Sequence, residues 1–378
     1  MESSVKNDGV APKKSRGNYF QSRGAIGRHR RLPELDLESR DDFLTGFRTW
    51  TARETFPVAN VRVDEILKEK GIDSEEDLSF KEVAELVDGD PIVGMSARTW
   101  LSCHKMTWQN FYDECHNNAD TYFDELEAAD NIGPGKLELN PDLDIPDYCK
   151  HEVHIMPGGY VGDPFGGYIF HYGSNNFYRG TNYQDAVHEK YAKQVPVPED
   201  GKVRRILDLG CTIGQHAVAL KERFPDAEVW GVDVGGPMVR YAHKRAVDLG
   251  IEVNFRQRPA EDTKFPDGYF DIVTSYILHH EAAEEGTRAI LKEAYRVLRP
   301  GGIYYPNDIN TSTPAPKLSA GMKVQLWWHT RWNHEAWALD YIDMDYTGAM
   351  RDAGFEIQDG PARIAGMPGG NLLGVKAA

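Results

Sequence analysis

From residue 202 onward, short apolar runs alternate with longer segments whose apolar residues recur every three to four positions. The runs "RRILDLG", "AEVWGVDV", "VNFRQRPA", "FDIVTSYIL" and "IYYPND" have the length and β-branched character of buried strands. Between them, "GQHAVALKERFP", "PMVRYAHKRAVDLG" and "GTRAILKEAYRVLRPGG" carry a helical period, each closed by Pro or Gly. A last helix, "YIDMDYTGAMRDAG", leads into "FEIQDG" and "NLLGVKAA", which read as a terminal strand pair. Strands alternating with helices predict an α/β class fold: a doubly wound, mostly parallel sheet with helices on both faces.

The first half follows a different pattern. Residues 60–130 read as mainly helical, with a capping-box spacing at Ser79 and Glu82. Residues 146–185 are rich in glycine and tyrosine, which predicts a long loop that is either a ligand-contacting lid or a connector. The predicted organisation is a disordered basic tail (1–35), a helical accessory or cap domain (36–145), a Gly/Tyr-rich lid or connector (146–200) and an α/β domain (201–378). The α/β domain holds a Trp-rich insertion at 318–340. The helical domain is expected to cover the site, form a homodimer interface, or both.

Charge narrows the function. The chain of 378 residues has a formal net charge of -16, which argues against nucleic acid as a partner because phosphate binding needs clustered Lys and Arg. Its first 31 residues run the other way, with eight basic and two acidic residues. Such a start reads as a solvated tail, with an organelle transit peptide as the alternative. No apolar run is long enough for a membrane span. Four scattered cysteines without a CxxC pair fit a reducing, cytoplasmic setting.

The candidate chemistry centres on "RILDLGCTIGQH", residues 205–216, where a strand ends in an acid and a glycine turn opens a helix. A dinucleotide fingerprint needs three glycines in fixed places; Gly210 fills the first and Gly214 lies nearby, but Thr212 and Gln215 stand at the other two places. "ILDLGCTIG" instead resembles the first motif of class I S-adenosylmethionine-dependent methyltransferases. "VWGVDV", "RPAEDTKFPDGYFDIV", "FDIVTSYILHH" and "EAYRVLRPGGIYYPND" resemble the later blocks in order and spacing. The "LHH" and "RVLRPGG" blocks are similar to the ubiquinone/menaquinone-biosynthesis type of small-molecule methyltransferase. Thr212, in place of the family's second glycine, is the one departure in the loop.

The resemblance implies a seven-stranded Rossmann-like sheet with a terminal antiparallel strand, S-adenosyl-L-methionine as cofactor, and a small organic acceptor. It places Asp208, Gly210, Cys211 and Gly214 around the methionyl part and Asp233 on the ribose, with Val234 against the adenosine. Ala260 and Glu261 then border the adenine, Ser275 and Tyr276 lie near the sulfonium, and Tyr172 caps the cofactor. For the acceptor pocket the candidates are Tyr183 and Arg179 in the tyrosine segment, and Trp328, His329 and Trp332 in the insertion. His279, His280 and Tyr178 are the candidates for proton transfer. Cys149, His151 and His154 lack zinc-ligand spacing, so no metal is expected there. Two alternatives stay open: a non-catalytic S-adenosylmethionine-binding scaffold, and an NAD(P) oxidoreductase.

Overall fold

The computed structural model describes residues 23–73, 76–309, 311–313, 317–362 and 370–378. The expected tail therefore lies outside the described residues as far as residue 22. From residue 23 the chain is ordered, because its basic side chains find acids on the body. Arg28 pairs with Glu222 and Asp185, Arg30 with Glu125, and both Arg23 and Arg31 with Glu38.

The main sheet contains β1 (Arg205–Leu209), β2 (Glu228–Asp233), β3 (Asn254–Gln257), β4 (Phe270–Tyr276), β5 (Leu298–Asn307), β6 (Glu356–Ala362) and β7 (Gly370–Val375). Their order across the sheet is β6-β7-β5-β4-β1-β2-β3. β7 runs antiparallel to both β5 and β6, and the five strands from β5 to β3 are parallel. This is the expected doubly wound sheet with an antiparallel terminal strand. A two-residue strand, Leu137–Glu138, extends the edge beyond β3.

Burial on both faces explains the unbroken apolar runs. In β1, Leu207 and Leu209 join the core under one helical layer, while Ile206 joins the core under the other. That alternation follows from the two-residue period of a strand. Helices α8 (Gln215–Arg223) and α9 (Gly236–Leu249) cover the second face, and α10 (Glu284–Val297) the first.

The N-terminal helices are α1 (Leu35–Trp50), α2 (Phe56–Glu69), α3 (Phe80–Leu86), α4 (Pro91–Asn117) and α5 (Ala119–Ala129). Ser79 and Glu82 form the reciprocal cap of α3. The Gly/Tyr-rich segment differs from its expectation as a loop: it contains helix α6 (Gly166–Phe177), followed by α7 (Ala186–Gln194). Its glycines serve close packing here. A Cβ at Gly167 would stand 2.2 Å from Tyr241, and one at Gly173 2.2 Å from the Trp108 ring.

The insertion forms α11 (Ala320–Trp332), followed by α12 (Ala338–Asp343) and α13 (Tyr346–Asp352). α11 docks on α2–α4, with Trp328 meeting the edge of Trp100 at 5.2 Å between ring centres. Among the described residues no helix is long and apolar enough to cross a membrane.

Candidate active site

β1 pairs with β2 on one side and β4 on the other, so the chain changes winding direction at the carboxyl end of β1. Ligands of open α/β sheets sit at such a switch point. The loop that follows β1 turns tightly through three left-handed residues: Gly210 (φ 65°), Thr212 (φ 43°) and Gly214 (φ 73°). Glycine adopts that region without cost, but a β-branched residue there is strained. Thr212 thus occupies a position whose backbone favours glycine.

Asp233, the last residue of β2, holds this loop in place. Its Oδ2 accepts the Thr212 N–H at 2.9 Å and its Oδ1 accepts the Gly235 N–H at 2.8 Å. Burial raises its pKa to about 6, against the pull of those two backbone donors. A carboxylate has about four lone-pair sites, so Asp233 can take further donors.

A cleft of about 690 Å³ opens beside this carboxylate. Its walls come from the ends of four strands: Gly210 and Thr212 after β1, Asp233 and Val234 after β2, Ala260 and Glu261 after β3, and Ile277, Leu278, Glu281 and Ala282 after β4. Tyr148, Cys149, Val153 and Tyr160, from the stretch before α6, close it over. Tyr148 donates its hydroxyl to Glu261 Oε1 at 2.8 Å. Ile277 and His154 also have left-handed backbones, φ 55° in both. Strain of this kind gathers where surrounding structure fixes a functional geometry.

A second group lies at the carboxyl ends of β1 and β4. Asp208 Oδ1 meets His216 Nδ1, from the first turn of α8, at 3.0 Å. Asp208 Oδ2 is buried with no partner among the described residues. Tyr276 packs near His216 and against His188 and Tyr191, and it shares a hydrogen bond with Tyr178. Burial lifts the Tyr178 phenol to about 12.

Residues 206–302 match the family model described as a methyltransferase domain. That stretch of the chain is similar to a methyltransferase domain. Over 124 residues the chain is 44% identical to demethylmenaquinone methyltransferase of Thermus thermophilus, a match covering 33% of this chain and 54% of that protein. It is 30% identical over 158 residues to phosphoethanolamine N-methyltransferase 3 of Arabidopsis thaliana, covering 40% of this chain and 29% of the plant protein. The chain thus spans about half or less of these relatives. A solved structure of Haemonchus contortus phosphoethanolamine N-methyltransferase 2, with phosphomonomethylethanolamine and S-adenosylhomocysteine, is 20% identical. That likeness covers 47% of this chain and 39% of the other, with a TM-score of 0.34.

The matched stretch brings Gly210, Asp233, Val234, Ala260 and Glu261 together on the cleft. Cys211 and Gly214 belong to the same loop but stand behind its wall, Cys211 buried against Gly231 and Gly214 against Phe255. Ser275 is buried with its Oγ 3.0 Å from the Tyr304 hydroxyl, and that tyrosine hydroxyl also meets His279 Nε2 at 2.6 Å. His279 itself sits among Tyr304, Tyr341 and Tyr346, away from the cleft, and burial lowers its pKa to about 4. His280 is also buried, its Nδ1 2.7 Å from Asp308 Oδ1.

The tyrosine and tryptophan candidates spread out. Tyr172 and Tyr183 border a separate small hollow beside the Ala25–Arg30 hairpin, where the Tyr172 hydroxyl donates to the Arg30 carbonyl. Arg179 and Trp332 are exposed, Trp328 is core, and His329 meets Glu335. Among the described residues no group of three or more His, Cys, Asp or Glu is arranged to hold a metal. Sequence reasoning passed over Glu281, Tyr160 and Leu278, all on the cleft. Leu278 and Glu281 flank the "HH" pair, so their place after a strand end was the available signal.

Proposed function

We propose that the protein is an S-adenosylmethionine-dependent methyltransferase acting on a small organic acceptor, with the cleft beside Asp233 as its cofactor site. The observation that carries this is the Asp233 carboxylate. It ends β2 at the switch point, buried, with two backbone donors on it and lone pairs to spare.

The residues present fit the cofactor. Asp208 Oδ2 is an unpartnered buried acceptor suited to an ammonium group. A Cβ at Gly210 would come 2.6 Å from Leu278, so the bare backbone keeps that wall open. Val234, Ala260, Leu278 and Ile290 supply apolar faces for a purine, and Asp233 can accept both ribose hydroxyls. A diphosphate, by contrast, would face three acids, Asp233, Glu261 and Glu281, and no Lys or Arg among the lining residues.

When bound, the cofactor supplies an electrophilic methyl group on a sulfonium. The chain's part is to align the acceptor with that methyl and to exclude water, since orientation is the main source of rate in a displacement. Tyr148, Val153 and Tyr160 close the cleft over its contents. Tyr276 and Tyr178 present phenols at the end of β4, where their rings can face positive charge.

The test is turnover. Protein incubated with methyl-labelled S-adenosylmethionine and a panel of quinols, phenols, amines and thiols should release S-adenosylhomocysteine with at least one of them. Binding of the cofactor with no product across the panel would favour a scaffold instead.

A further inference from the structure

Behind the cleft, six side chains from separate parts of the chain form a line of alternating acids and imidazoles. Asp308 Oδ1 meets His280 Nδ1 at 2.7 Å, and His280 Nε2 lies 3.5 Å from Glu281 Oε1. The same Oε1 lies 3.1 Å from His154 Nε2. His154 Nδ1 stands 3.2 Å from Glu335 Oε1, which His329 Nδ1 also reaches at 3.2 Å. None of the six side chains is more than 18% exposed. The backbone is bent to build this line, since His154 and Ile155 both take left-handed conformations, with φ 55° and 51°.

Of the six, only Glu281 lines the cleft. Its Oε1 serves two histidines, while its Oε2 is buried and has no hydrogen-bond partner among the described residues. Buried carboxylate oxygens are rarely left unpaired, so a free one beside a cleft points to a missing donor. The other two acids on the cleft have roles already: Asp233 holds the loop and fits the ribose, and Glu261 takes the Tyr148 hydroxyl. With no Lys or Arg on the lining, Glu281 sets the charge of what remains.

We propose that Glu281 selects the methyl acceptor: its free Oε2 accepts a hydrogen bond from a neutral amine or hydroxyl group, and the cleft turns away phosphates and carboxylates. This rests on the methyltransferase reading above and adds the acceptor class to it. The acceptor's lone pair forms the new bond to the methyl carbon, the old carbon–sulfur pair stays on sulfur, and the acceptor gains the positive charge. Glu281 stabilises that charge where it develops, and the surplus proton then passes to water.

Glu281 does not act as a general base. Burial alone would raise its pKa, but His154 and then His280 outweigh that and bring it down to about 2. A general base works best with a pKa near the working pH, and one near 2 would take a proton from a phenol of pKa about 10 only at odds of roughly one in 10⁸. A fixed anion is what the arrangement supplies.

Calorimetric titration with sinefungin and S-adenosylhomocysteine tests this directly, because sinefungin carries an amine where the transferred methyl group would be. The wild-type protein should bind sinefungin more tightly than S-adenosylhomocysteine. Glu281→Gln should weaken sinefungin about tenfold, the scale of a lost charge-assisted hydrogen bond, and leave S-adenosylhomocysteine within about twofold. A wild type that prefers S-adenosylhomocysteine, or a variant that weakens both ligands equally or neither, overturns the proposal.

A second measurement needs no variant. With S-adenosylhomocysteine bound, phenethylamine or catechol should raise the melting temperature and inorganic phosphate should not; the amine and phenol arms separate the two acceptor chemistries. Stabilisation by phosphate alone overturns the proposal. Failure of the wild type to bind either cofactor analogue sinks the methyltransferase reading itself, and the proposal with it.

Discussion

Asp233 Oδ2 accepts the backbone N–H of Thr212 at 2.9 Å, so the acid that ends β2 also shapes the loop that follows β1. One carboxylate thereby links the two strand ends that define the proposed cofactor site. Its ionisation should be visible in binding. Burial holds the Asp233 pKa at about 6, above its unfolded value of about 4. In the free protein this group's contribution to stability is present at low pH and is lost as pH rises from about 4 to about 6. In the proposed site the ribose binds to the carboxylate, so affinity for S-adenosylhomocysteine should weaken as pH falls below 6, by up to about tenfold per unit. Asp233→Asn should flatten that profile, which titrations between pH 5 and 8 would check.

Thr212 holds a left-handed backbone while its N–H donates to Asp233. A non-glycine residue in that region costs about 1–3 kcal/mol, whereas glycine costs about 0.5–1 kcal/mol in unfolded-chain entropy. Thr212→Gly should therefore stabilise the protein by about 1 kcal/mol, read as a higher urea midpoint at unchanged slope. A lower midpoint would mean that the Thr212 side chain makes contacts worth more than the strain.

Gly173 packs its bare Cα against the Trp108 ring, where an added Cβ would stand at 2.2 Å. Gly173→Ala should cost about 1–3 kcal/mol by overpacking the α4–α6 contact. A denaturant series measures it, and a neutral result would show that α6 can slide.

The His154 imidazole has burial against its charged form, but Glu281 and Glu335 outweigh that and hold its pKa at about 9. Its pairing supports the fold fully below the unfolded value of about 6.5 and is lost as pH rises through 9. An NMR titration should show the His154 ring titrating near 9, assigned by the loss of its signal in His154→Gln. Glu335→Gln should move it downward.

How much of this was legible in the sequence depended on how far apart the partners lie. "RILDLG" and "VWGVDV" announced β1 and β2 because strands buried on both faces keep an unbroken apolar run, and Asp233 followed from the resemblance of "VWGVDV" to a methyltransferase block. The Gly/Tyr-rich segment misled, since Gly167 and Gly173 were read as loop residues while the structure uses them for helix contacts with Tyr241 and Trp108. Glycine marks either a turn or a close approach, and composition does not separate the two. Trp328 shows a similar limit: it was a candidate for the acceptor pocket, but only the fold shows that it is buried against Trp100. The line through His154, Glu281 and Glu335 was invisible, because no local pattern joins residues so distant in the chain.

The central claim is that the cleft beside Asp233 is an S-adenosylmethionine site. The most direct measurement is a calorimetric titration of the wild-type protein with S-adenosylhomocysteine and, separately, with NAD⁺ and NADP⁺. The account expects S-adenosylhomocysteine to bind at one site per chain, Asp233→Asn to weaken it about tenfold, and both nicotinamide cofactors to give no heat. Saturable binding of NAD⁺ or NADP⁺ with none of S-adenosylhomocysteine would contradict it.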